Sequence, residues 1–182
     1  ENSSNKLTIL NSVVSLHNDW RAYNNIACIY LSKNDDDNAM IYLNKAKENG
    51  GANESSVLTN LGIIASWNGE LNKAQKLFDK ANTNSTNQAI LDVRQGNYRS
   101  ATGILRGNSY NAALVSILNG NNNSTCNEET DACYYLNAIA GARLGNETIL
   151  FTNLEKAIQN SEVYKVEALK DLEFGHYRNN EK

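Results

Sequence analysis

Proline is absent from the 182 residues. No proline-rich linker is therefore present, and no helix is ended by a proline. Histidine is scarce: the only two are His17 and His176, near opposite ends. That excludes a credible Ser-His-Asp arrangement, and there is no HExxH pattern or phosphate-cradling glycine loop. No apolar run reaches the roughly 20 residues that span a bilayer as a helix. Basic charge is not in surplus either. The net charge of -3 argues against nucleic acid or an anionic membrane surface as the main partner. Neither a catalytic constellation nor a cofactor motif emerges, so a non-enzymatic chain without cofactor is expected.

Cysteine occurs three times. Cys28 lies in a helical apolar pattern and is expected to be a small core residue. Cys126 and Cys133 bracket the polar segment from Asn127 to Ala132. They could form a local disulfide in an oxidising compartment, and the spacing equally suits two unrelated thiols. A metal site is not expected, because no histidine is near them in sequence and further ligands are missing.

What is abundant is asparagine, about one residue in six. Asn disfavours helix interiors mildly and suits turns and helix starts. Six Asn-x-Ser/Thr sequons occur, for example at Asn2, Asn53 and Asn146; so many are expected by chance in so Asn-rich a chain. With 41% hydrophobic and 20% charged residues the chain has a globular composition. Apolar residues recur with helical period throughout, without strand alternation.

The informative feature is self-similarity. One unit holds Tyr23, Ile26, Ala27 and Tyr30, followed by Ala39, Leu43 and Ala46. Thirty-five residues later come Leu58, Leu61, Gly62 and Ala65, followed by Ala74, Phe78 and Ala81. Small residues at Ala27, Gly62, Ala39 and Ala74 let paired helices approach, and the large residues fill the seam around them. Asn34-Asp35 and Asn68-Gly69-Glu70 are the intervening turns. Asp35-Asp36-Asp37 is read as a helix cap rather than a calcium loop, and Glu128-Glu129 as dipole-complementing charge ahead of the Tyr134 helix.

This pattern resembles the tetratricopeptide repeat (TPR) family. The resemblance implies an all-α, α-α superhelix, a right-handed solenoid of antiparallel helix pairs. The expected layout over 1–182 is one solenoid. Residues 1–18 form the second helix of a preceding repeat, 20–50 and 54–83 are repeats, and 86–120 are shortened and irregular. A further repeat covers 128–160 and a capping helix covers 162–178. A loop replaces a second helix after Gly120. Because the chain opens half-way through a unit, the natural protein is expected to be longer.

The order Asp19-Trp20-Arg21-Ala22-Tyr23, then Tyr134-Tyr135-Leu136 with Ala142-Arg143, then Ala168 to Phe174, resembles the TPR segment of Bacteroides-type cell-envelope proteins of the outer-membrane protein A kind. It implies a bacterial, envelope-associated scaffold.

TPR stacks bind a protein or peptide ligand in a concave groove lined by the first helix of each pair. The residues expected there are Arg21, Asn24, Thr59, Ile63, Trp67, Tyr135 and Arg143, with Cys28, Ser66 and Ile139 beside them. The family's carboxylate clamp would fall on Asn24, Cys28, Asn60, Thr83 and Asn87. Only Asn60 fits it, so a neutral groove of amides and aromatics is expected. A spacer or accessory domain that positions an N-terminal domain is the alternative.

Overall fold

A computed structural model of the chain describes residues 2–82, 86–159 and 161–178. Among these the fold is all-α, without a strand, and consists of antiparallel helix pairs of the TPR-like helical-repeat kind. No described helix is long and apolar enough to cross a membrane. The chain divides into two compact units, Glu1–Gln95 and Gly96–Lys182.

The first unit holds α1 (Asn2–Leu16), α2 (Trp20–Leu31), α3 (Asp36–Ala46), α4 (Ser55–Trp67), α5 (Leu71–Ala81) and α6 (Thr86–Arg94). The capping chemistry follows the sequence. Asp19 accepts the Arg21 amide at 2.8 Å at the start of α2. Asp35 accepts the Asn38 amide at 3.1 Å at the start of α3, with Asp36 and Asp37 in the positively polarised first turn. Beyond α3 the chain turns through Gly50, whose φ of 100° is open to glycine and costly for other residues. The core of the α2–α3 pair is Tyr23, Ala27, Ala39, Leu43 and Ala46, joined by Val57 and Ile64 of α4. Ala74, Phe78, Ala65 and Leu91 form the next cluster. Gly62 is required by geometry, because a Cβ there would lie 2.5 Å from Phe78 Cε1. The expected second-repeat boundary and clamp position at Thr83 lie outside the described residues.

The second unit holds α7 (Tyr98–Ile104), α8 (Tyr110–Leu118), α9 (Asp131–Leu144), α10 (Glu147–Gln159) and α11 (Glu162–Lys170), then a 3-10 helix at Leu172–Tyr177. α9 and α10 form its regular pair, turned by Gly145 in the left-handed region. They approach at Gly141, where a Cβ would meet the Leu150 amide nitrogen at 2.6 Å. Residues 119–130 hold no helix, as loop chemistry there requires.

Three expectations are corrected. The capping segment 162–178 is not one helix. Asp171 adopts extended backbone (φ -65°, ψ 124°), ends α11 and caps the 3-10 helix through the Glu173 amide. Of Val166, Leu169, Leu172 and Phe174, only Phe174 is buried. Glu128 does not serve the α9 terminus, which Thr130 caps; its carboxylate accepts the Tyr110 amide at 3.1 Å, at the start of α8. Cys28 is exposed rather than core, although Ile26 and Ala27 beside it on α2 are fully buried.

Candidate partner-binding surface

In the first unit, α2 and α4 are the leading helices of the two regular pairs and α6 follows α5; polar side chains link α2 to α4 and α4 to α6. The Asn60 amide of α4 donates to Asn24 Oδ1 of α2 at 2.9 Å and to Cys28 Sγ at 3.2 Å. Asn24 is buried while retaining this polar link. Further along, Arg94 Nη1 of α6 meets Ser66 Oγ of α4 at 3.5 Å. Beside Ser66, Trp67 is 44% exposed at the end of α4. An indole left that open at a helix end, on the helix that also meets an exposed guanidinium, has the composition of an interface anchor.

The expected candidates separate into two groups. Asn24, Ile63 and Trp67 belong to α2 and α4 of this unit, as does Thr59, which is partly exposed. Arg21 is exposed at the start of α2, paired with Asp19 at 3.1 Å and 5.8 Å over the Trp20 ring. The Asp19 carboxyl is held below its usual range, chiefly by the Arg21 backbone amide.

Tyr135 and Arg143 have other work in the second unit. Tyr135 is buried. Its ring stacks on Tyr164 at 4.9 Å and meets Phe174 edge-on at 5.6 Å, and its hydroxyl donates to Asp171 Oδ2 at 3.0 Å. Burial, and then the Asp171 bond, raise its pKa well above the ordinary tyrosine value. Arg143 pairs with Glu173 at 2.5 Å and also donates to the Ile117 carbonyl at 3.3 Å. Both side chains hold the C-terminal segment against α9 and leave little for a ligand.

Arg94 is the residue that sequence reasoning missed. The 35-residue period that carries Asn24 to Thr59 carries Thr59 to Arg94. Aligning the third unit on its shortened second helix instead obscures that register. The surface is therefore not wholly neutral.

The Cys126 and Cys133 sulfurs meet, with Cα atoms 5.4 Å apart. Both residues are buried, in a cluster with Ala113, Ile117, Leu136 and Ala140.

Residues 21–49, which include the α2–α3 pair, match the tetratricopeptide repeat family model, and this supports the TPR family for the chain. No curated protein matches, and no solved structure matches. Repeats of this family generally mediate protein–protein interactions, and their fold is typically non-enzymatic.

Proposed function

We propose that this chain is a protein-binding scaffold segment, and that it holds a peptide or helix of a partner protein on the α2–α4–α6 face. The observation that carries the reading is the coincidence of interlocked amides at Asn24 and Asn60 with the open Trp67 and Arg94. The amides fix the face rigidly, which lowers the ordering cost of binding. Among the described residues, Asn60 Oδ1 has no donor and remains able to accept a backbone N–H from the ligand. Trp67 supplies apolar area, and Arg94 supplies one cation that favours a ligand with a carboxylate.

The resemblance to Bacteroides-type envelope scaffolds supports a place in the bacterial cell envelope, within a larger protein. A bridge between Cys126 and Cys133 belongs to that reading, since an envelope compartment is oxidising. The second unit is read as the spacer, because its two candidate ligand-binding side chains are spent on internal contacts. The repeats at 20–50, 54–83 and 128–160 are part of the same proposal.

The test is affinity recovery of partners from extracts of the source cells. Trp67→Ala and Arg94→Ala should each lower recovery of the same protein, whereas Arg143→Ala should leave it unchanged. Equal recovery by all three variants would refute the assignment of the face.

A further inference from the structure

The sequence places three carboxylates, Glu128, Glu129 and Asp131, between two thiols, and the fold brings one of them to the sulfurs. Cys126 Sγ, Cys133 Sγ and a Glu128 carboxylate oxygen all lie within 4.8 Å of one another. Glu128 Oε2 is 3.9 Å from Cys133 Sγ. We propose that, in its dithiol form, this cluster is a binding site for one thiophilic divalent cation of the zinc class, held by Cys126, Cys133 and Glu128 with an exchangeable fourth position.

Several contacts that do not depend on the S–S bond keep the three groups converged. Asn137 of α9 grips the Cys126 peptide from both sides: the Cys126 amide donates to Asn137 Oδ1 at 2.9 Å, and Asn137 Nδ2 donates to the Cys126 carbonyl at 2.9 Å. The Asn127 amide donates to the Asn108 carbonyl at 2.9 Å. Glu128 Oε1 is occupied by the Tyr110 amide, and this turns Oε2 toward the sulfurs. Thr130 Oγ1 accepts the Cys133 amide at 3.3 Å and fixes the first turn of α9. Held ligands of this kind are what a metal site requires of its surroundings.

The stereochemistry is within reach. Zinc–sulfur bonds of about 2.3 Å place two tetrahedral thiolates roughly 3.8 Å apart. Opening the sulfurs to that separation needs side-chain rotation only, since the Cα atoms are already 5.4 Å apart. Two thiolates and a carboxylate suit zinc better than magnesium or calcium, which take oxygen ligands. Both cysteines are buried while Glu128 is exposed, so the cation enters and exchanges on the carboxylate side.

Bridge and cation exclude each other. A phosphine reductant breaks the S–S bond: with one water it becomes the phosphine oxide, and the two sulfurs leave as thiols. Binding of the divalent cation then releases both thiol protons to the buffer.

The experiment is titration of the phosphine-reduced, oxygen-free whole chain with Co²⁺, the optical stand-in for zinc. We expect one equivalent to bind with thiolate-to-cobalt charge-transfer absorption in the near ultraviolet, displaced by Zn²⁺. Cys126→Ser or Cys133→Ser should abolish the absorption. Cys28→Ser should leave it intact, and Glu128→Gln should weaken binding about tenfold or more. In a second arm, zinc should protect Cys126 and Cys133 of the unmutated chain, but not Cys28, from alkylation, so no variant need fold. Absence of the absorption with unprotected thiols would overturn the proposal. So would absorption that survives Cys133→Ser or disappears with Cys28→Ser.

Discussion

The Tyr135 hydroxyl of α9 donates to Asp171 Oδ2 at 3.0 Å, and Asp171 is the residue at which α11 stops. One carboxylate thus does two things. It caps the 3-10 helix through the Glu173 amide at 3.0 Å and ties that helix to the regular α9–α10 pair. Tyr177 adds a second tie, its hydroxyl donating to the Ala142 carbonyl at 3.2 Å.

Tyr135→Phe keeps the ring contacts and removes the bond. It should cost about 1 kcal/mol, the usual net worth of a hydrogen bond with one partner left behind. Asp171→Ala loses the cap as well and should cost about 2 kcal/mol. Denaturant unfolding of the whole chain measures both. Equal stability of all three proteins would contradict the role given to Asp171.

The same tyrosine makes stability depend on alkaline pH. Its pKa is raised by burial and by Asp171, so the fold favours the neutral phenol. The contribution is fully present below the unfolded tyrosine value of about 10 and is lost as pH climbs toward the folded value. Melting temperature should therefore fall above about pH 10. Tyr135→Phe should flatten that fall; Tyr110, also raised by burial, accounts for a remainder. An unchanged slope in the variant would contradict the assignment.

Two glycines should respond in opposite directions to alanine. At Gly141 the added methyl collides with the Leu150 backbone, which belongs to α10 and cannot turn aside. Gly141→Ala should destabilise by about 1–3 kcal/mol. Gly103 lies within α7, and a methyl added there would meet nothing within 4 Å. Gly103→Ala should stabilise by up to about 1 kcal/mol, through helix propensity and unfolded-chain entropy. Thermal unfolding of the two single variants checks the pair.

The helix pairs are legible in the sequence because burying alanine and glycine at fixed offsets leaves a period. Ala27, Ala39, Ala74 and Gly62 all sit in the helix seams where that period puts them. The break in the capping segment is not legible, because the event that makes it is long-range: Tyr135 reaches Asp171 across 36 residues, and nothing local to 162–178 announces that contact. Exposure of Cys28 is hidden for a related reason. An apolar-looking residue in an amphipathic helix is assigned to the core by pattern, whereas its neighbour Asn60 comes from the next repeat. Glu128 shows the same limit, since its partner Tyr110 is 18 residues away. Arg94 is readable from the 35-residue period, but the short α7 draws the alignment elsewhere.

The central claim is that a partner protein docks on the α2–α4–α6 face of the first unit. Site-specific photocrosslinking in source-cell extract tests it directly. A photoreactive side chain is placed at Ile63, at Trp67, or at Ile41, which is 51% exposed on α3. The account predicts a shared protein adduct from positions 63 and 67 and none from position 41. Equal labelling from all three positions, or labelling from Ile41 alone, would contradict it.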